Sequence, residues 1–455
     1  MNRIATRTMT LFLLCTLLLG GFGFFLAEYF ADSEGWVLSS GSPHIYTGEN
    51  IACGVVVDRN GKLLLDMNDG RKYSNVPALR QSTVHWIGDR YGSVSAPALP
   101  NYASELAGFD VINGVYNYGQ NGGIAELTLS AEVQMAALEA LGDYKGTVAV
   151  YNYKTGQLIC SVTTPTYDPD NVPAFTEGDA RYKDLYMNRF TRYHYIPGSI
   201  FKIVTLAAAL ENNPDIVNKT FACTGEYVIG NEKVTCEDIH WDQTLKQAFC
   251  NSCNCAFAEI ALELGAEKMT EYVEKFGITK SVQFDGIATQ EGNFQIVDNA
   301  DLNLAWASIG QHRDLVNPCA FLTFIGAVAN DGKVTNPYLV EQIKVDGLRT
   351  YSAKTQYGEQ IMSTETAKIV QEYMQNNVTV KYDQNQEYFP GLTVGAKTGT
   401  GEVEGQKPNA MFAGFVENEK YPLAFIACVE DAGYGKTVCR PIISKVLLAI
   451  QQNVK

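Results

Sequence analysis

Ser199 is the only serine in the chain with a lysine three residues further on, in Tyr195-Ile196-Pro197-Gly198-Ser199-Ile200-Phe201-Lys202. Pro197 and Gly198 give way to the apolar run Ile203 to Leu210, so the spacing predicts a helix that starts at Ser199 and carries Lys202 one turn along the same face. A hydroxyl and an amine held that close make a nucleophile and its base, because a neutral amine takes the hydroxyl proton without any histidine. Apolar surroundings favour that neutral form, since burial penalises an ammonium. The blander alternative is a helix-capping serine beside a lysine that snorkels to the surface.

Two further motifs follow in the order such chemistry needs. Ser252-Cys253-Asn254 falls in a polar connection between helical runs, where residues two apart can face one cleft. Ser252 is expected to pass a proton between Lys202 and a leaving nitrogen, and Asn254 to hold a substrate amide carbonyl. The competing reading makes either residue a cap for the next helix. Lys397-Thr398-Gly399-Thr400 reads as an edge strand beside a cleft. Gly399 would let a ligand backbone approach closely, while Lys397, Thr398 and Thr400 would bind a carboxylate. The backbone N–H groups of Ser199 and Thr400 are candidates for an oxyanion hole. Strict strand alternation puts Lys397 and Thr398 on opposite faces, so spacing alone does not place every contact.

Two tempting strings are assigned no chemistry. Lys154-Thr155-Gly156 falls between strand-like runs, where Thr-Gly is ordinary turn chemistry. Gly435-Lys436-Thr437 lacks the glycine a phosphate loop requires five positions earlier, where Glu430 stands.

Around these motifs the chain is long and acidic: 455 residues with a formal net charge of -15. That balance argues against nucleic acid as a partner, since phosphate binding needs clustered Lys and Arg. The length admits two or three domains and a sizeable core. Met9 to Ala27 is uncharged, mostly apolar and long enough to cross a hydrocarbon core. Arg3 and Arg7 precede it and Glu28, Asp32 and Glu34 follow, so the positive-inside rule keeps the N-terminus cytoplasmic and exports the rest. No small-x-small site marks a cleaved signal peptide, and an uncleaved anchor is expected.

Of 11 cysteines, Cys15 lies in the apolar segment, which leaves an even number in a compartment that permits disulfides. Cys223 and Cys236 flank a hairpin predicted to turn at Gly230-Asn231, and a disulfide between them is the first expectation. Free thiols are the alternative. Cys250, Cys253 and Cys255 lack a fourth ligand and the usual paired spacing, so no metal and no cofactor are expected.

The chain is therefore divided into a cytoplasmic tail 1–8, an anchor 9–27, a spacer 28–50, a small β-containing module 51–123 with a hairpin about Asn60-Gly61, and a catalytic domain 124–455. In that domain Leu129–Leu141 reads as a helix capped by Ser130. Strands are predicted at 147–151, 157–162, 392–401, 410–416 and 422–429, with a closing helix over 441–451. Strands bracketing a helical middle imply one sheet assembled from both ends of the domain, which would let Ser199 and Lys397 meet.

Taken together, Ser199-Ile200-Phe201-Lys202, Ser252-Cys253-Asn254 and Lys397-Thr398-Gly399-Thr400 resemble the three signature motifs of the penicillin-binding proteins, specifically the monofunctional class B transpeptidases. Val57-Asp58-Arg59-Asn60-Gly61, Thr164-Pro165-Thr166-Tyr167-Asp168-Pro169, Ser308-Ile309-Gly310-Gln311 and Met411-Phe412-Ala413-Gly414-Phe415 add to the likeness, which covers the chain from about residue 51 to the end. The resemblance implies an α+β fold, an antiparallel five-stranded sheet covered by helices with a helical subdomain. It implies acylation of Ser199 by the D-Ala-D-Ala end of a peptidoglycan stem peptide, with release of D-Ala and cross-linking by a neighbouring amine. It also implies acylation by β-lactams, carboxypeptidase trimming as a side activity, and room for a glycosyltransferase or other wall-synthesis partner. The region before residue 124 is too short for a glycosyltransferase domain. His312-Arg313-Asp314 follows Gln311 where relatives commonly carry glycine. The alternatives are a serine β-lactamase and a non-catalytic β-lactam sensor or wall-binding scaffold.

Overall fold

The structure, a computed structural model, describes residues 2–38, 46–47, 50–68, 70–107, 122–174, 179, 182–296 and 300–454. Parts of the expected spacer and the Gly-rich stretch near 108–121 lie outside the described residues.

The first helix, Asn2–Val37, contains an apolar span Arg3–Ser33 whose most apolar 18 residues have mean hydropathy 2.2 and include no buried residue. A helix apolar all round, and bare over that stretch among the described residues, matches a single-pass membrane anchor. Beyond it, Val55–Val57 and Leu63–Asp66 form the expected hairpin, with Gly61 at φ +80°. The hairpin belongs to a six-stranded sheet that also takes Lys72–Tyr73, Ile124–Leu127, Val340–Val345 and Leu348–Ser352. Residues 51–123 are thus completed by strands from much later in the chain.

The larger sheet has five antiparallel strands in the order Thr393–Gly401, Asn409–Glu417, Leu423–Val429, Gly146–Asn152, Leu158–Thr164. These strands read as nearly continuous apolar runs because both faces are covered. Phe412, Phe425 and Val150 face helices Ala131–Leu141 and Cys439–Asn453, which pack against each other. Met411, Ile426 and Ala149 face the opposite side, where helix Pro318–Ala329 is buried almost throughout. Beyond that helix lie Lys202–Asn212, Leu245–Asn251, Asn254–Leu264 and Thr364–Asn377, which carry or buttress the serine and lysine motifs.

Two local expectations come out differently. Helix Ala131–Leu141 is not capped by Ser130, whose Oγ has no hydrogen-bond partner among the described residues; Asp58 Oδ2 accepts from Ala131 N at 2.9 Å. The same carboxylate accepts from Asn60 N and Lys62 N in the first hairpin, so one side chain ties the small sheet to the catalytic domain. The hairpin Glu226–Thr235 turns at Gly230-Asn231 as expected, yet Cys223 and Cys236 are both free thiols. Cys236 Sγ faces His240 Nδ1 at 3.6 Å and Cys253 Sγ at 4.0 Å, which explains why hairpin geometry alone misleads.

Candidate active site

Ser199 is half-buried at the lip of a cleft of ≈ 340 Å³, and the path of the chain there is set by glycine. Gly198 has φ +54° and its N–H donates to Gly310 O at 2.8 Å; a Cβ on it would fall 2.2 Å from Thr400 O. No other residue fits a left-handed turn pressed so close to a strand. Residues Gly198–Phe201 form a 3₁₀ turn that runs into the α-helix Lys202–Asn212, so the helix begins one turn later than the spacing predicts. Lys202 still lands beneath the serine, with Nζ 2.9 Å from Ser199 Oγ.

Lys202 is wholly buried, and its amine has four polar neighbours. Besides Ser199, it lies 2.8 Å from Ser252 O, 2.6 Å from Asn254 Oδ1 and 3.2 Å from Ser252 Oγ. The carbonyl and the amide oxygen only accept, so they take two N–H bonds. A neutral amine then has its lone pair free for a hydroxyl proton. Burial pushes the Lys202 ammonium down to about 8, with nearby Cys236, Cys253 and Glu237 pulling the other way. Lys397 is equally buried; Nζ lies 3.0 Å from Ser252 Oγ and donates to Thr398 O at 3.2 Å. Burial again, then the charges of Lys202 and Lys381, hold Lys397 well below the usual lysine range. The Ser252 hydroxyl thus bridges two amines in a low-dielectric pocket.

Ser252 reaches this position through strain. Helix Leu245–Asn251 opens with a capping box between Thr244 and Gln247 and ends at Ser252, a non-glycine residue at φ 56°, ψ 36°. Such a residue costs about 1–3 kcal/mol and persists only where surroundings over-determine it. Here Cys253 N–H bonds back to Ala248 O while Cys253 caps the next helix. Asn254 is not in the connection as expected but is the first residue of helix Asn254–Leu264. Its Oδ1 accepts from Lys202 and its Nδ2 donates to Thr235 O at 2.8 Å, leaving one N–H for a ligand.

The strand Thr393–Gly401 lies at the sheet edge, as expected, with Lys397 directed inward and Thr398 and Thr400 lining the cleft. Tyr382 OH holds Thr398 Oγ1 at 3.1 Å. Gly399 serves a different purpose from the one its sequence context suggests. A Cβ there would meet Pro197 O at 2.6 Å, so the missing side chain admits the serine turn, not a ligand backbone.

All eight expected site residues therefore lie in or directly against one cleft. Sequence reasoning missed Trp306, Glu237, Glu402, Tyr434 and Lys436, which complete its walls. Gln311 donates to Thr400 O and accepts from Glu402 N, bracing the strand end, and His312 takes the glycine-like φ of +68°. Lys436 sits in the string set aside as a failed phosphate loop. Gly435 packs its backbone on Met411 O, which delivers Lys436 to the cleft. Lys154-Thr155-Gly156 forms the turn between two strands, with Asn152 Oδ1 accepting from Lys154 N and Thr155 N.

The family model described as "Penicillin binding protein transpeptidase domain" matches residues 146–448. The peptidoglycan D,D-transpeptidase PbpA of Mycolicibacterium smegmatis is 27% identical over 339 residues, covering 69% of this chain and 68% of that protein. Among solved structures, the D,D-transpeptidase domain of a peptidoglycan glycosyltransferase from Eggerthella lenta superposes with TM-score 0.75 at 26% identity, covering 90% of this chain and 99% of that one. Penicillin-binding protein A from M. tuberculosis, solved as a penicillin G acyl-enzyme complex, superposes with TM-score 0.74 at 23% identity over 88% of this chain and 100% of that one.

Proposed function

This chain belongs to the class B penicillin-binding proteins, a peptidoglycan D,D-transpeptidase family that binds β-lactams, and from that premise we propose that Ser199 is its nucleophile and Lys202 the base. Lys202 takes the Ser199 proton as Oγ attacks the penultimate D-Ala carbonyl. Ser252 relays a proton to the leaving amine of the terminal D-Ala, and the acyl bond to Ser199 forms as the peptide bond breaks. An amine from a second stem peptide then attacks the ester, losing its proton back through Ser252 and Lys202.

Asn254 orients the stem peptide through its free N–H. Thr398 and Thr400 hydroxyls, backed by the Lys397 charge when it is protonated, receive the terminal carboxylate; the N–H groups of Ser199 and Thr400 receive the oxyanion. Gly399 permits the serine turn to sit against that strand. The observation that carries this reading is the 2.9 Å approach of a fully buried amine to an accessible hydroxyl. Arg3 and Arg7 before the apolar helix support a cytoplasmic N-terminus and a catalytic region outside the membrane, where a glycosyltransferase or another wall-synthesis protein would act beside it.

Fluorescent penicillin tests the assignment. The wild-type chain is expected to carry a label that persists for many minutes, and Ser199→Ala to carry none. Labelling that survives Ser199→Ala sinks the assignment, and rapid release of the label indicates a β-lactamase.

A further inference from the structure

The side chains of Cys223, Cys236, His240 and Cys253 converge next to the cleft, although they come from three separate elements. Cys223 ends the strand Thr220–Cys223, Cys236 and His240 follow the hairpin Glu226–Thr235, and Cys253 is the cap residue between Ser252 and Asn254. We propose that these four residues form a closed zinc site that clamps the hairpin onto the Ser252–Asn254 corner.

The ligand atoms all lie within 4.8 Å of one another. Tetrahedral zinc with its usual bond lengths separates two sulfurs by about 3.8 Å and a sulfur from an imidazole nitrogen by about 3.6 Å. Cys236 Sγ stands 4.0 Å from Cys253 Sγ and 3.6 Å from His240 Nδ1, which are those edges. Three thiolates and one imidazole are soft donors that suit zinc, and four protein ligands leave no open position for catalysis.

The surroundings are those of a thiolate site. Backbone N–H groups of Asn254 and Ala256 point at Cys236 Sγ and Cys253 Sγ, at 3.3 and 3.5 Å. Both come from the first turn of helix Asn254–Leu264, whose positive end offsets the surplus negative charge. Cys255, buried one residue along that turn, touches the same sulfurs. The sequence discounts metal because Cys250, Cys253 and Cys255 supply no fourth ligand. The actual set is split by a hairpin that no short spacing rule spans.

The fold has a need for such a clamp. Of the eight strand residues in the hairpin only Val234 is buried, and Ile239 and Trp241 just beyond it are exposed. An isolated hairpin with so little core is marginal in water. Yet Thr235 O positions Asn254, and Thr235, Cys236 and Glu237 line the cleft. Metal bonds at Cys236 and His240 would hold this wall in place.

The full chain, purified in detergent without a histidine tag, should contain one zinc per chain by plasma mass spectrometry. Cys236→Ser and His240→Ala should lose it, while Cys53→Ser, remote from the cluster, keeps it. Should the ligand variants fail to fold, the wild-type protein still decides. After chelation, cobalt chloride should produce thiolate charge-transfer and tetrahedral d–d bands. Chelation should also slow fluorescent-penicillin labelling, and zinc chloride should restore it. Cobalt bands without any penicillin labelling would still support the metal site. Absence of stoichiometric metal together with a blank cobalt spectrum overturns it, as does a disulfide joining any two of the four positions in unreduced peptides.

Discussion

Lys202 has no exposed surface, and its amine sits among oxygens that accept but do not neutralise it, so its protonation state decides whether Ser199 can attack. Its folded value near 8 lies below the ordinary lysine value, which fixes the sign: below that pH the amine is an ammonium and no base, above it the base is free. Acylation by fluorescent penicillin should therefore rise about tenfold per pH unit up to about 8 and then level. A flat profile through that region excludes Lys202 as the base. Lys202→Met should slow acylation by about 10²–10⁴-fold with the fold retained, read as a labelling rate beside an unchanged circular dichroism spectrum. The three motifs were legible because each is short and its spacing reports a single turn or strand. Lys436 and Trp306 were not, since nothing local announces that a distant loop folds back over the cleft. Gly399 was legible as a close-approach residue, but which backbone approaches was not. Gly399→Ala should displace the serine turn at a cost of about 1–3 kcal/mol, lowering both the melting temperature and penicillin labelling.

Among elements, the small sheet and the catalytic sheet are joined by a few specific bonds. Asp58 serves the hairpin turn through Asn60 N and Lys62 N and caps helix Ala131–Leu141 through Ala131 N. Removing it strips a cap and an Asx turn together, so Asp58→Ala should cost about 1–2 kcal/mol, visible as a lower denaturation midpoint, whereas Ser130→Ala should cost almost nothing. Turn chemistry about Asn60-Gly61 was readable in sequence; the cap was not, because Ser130 stands in the right place with the right side chain. Only the tertiary approach of Asp58 displaces it. The strands 340–345 and 348–352 went unassigned for a similar reason, as these largely half-buried or exposed runs lack strict alternation and gain meaning only once 340–345 pairs with Ile124–Leu127 and 348–352 with 340–345.

At the scale of the molecule, the two ends of the catalytic region are held together by buried charge as well as by the sheet. Arg189, with no exposed surface, donates to Glu430 Oε1 at 2.7 Å, just beyond the strand Leu423–Val429. Glu430→Gln leaves the buried guanidinium with only the Asp184 carboxylate, 3.7 Å away, as counter-ion and should destabilise the protein by roughly 3 kcal/mol, measured by thermal unfolding.

The strand order carries a further consequence. Gly146–Asn152 has its place between Leu158–Thr164 and Leu423–Val429, and Lys397 meets Ser252 only once the edge strand is laid down. With the catalytic region outside the membrane, as proposed, a ribosome must nearly finish translation before the pocket exists. Nascent polypeptide still threading the export channel is thus inert toward both wall and antibiotic, and a message cut short near its end yields a tethered but mute product.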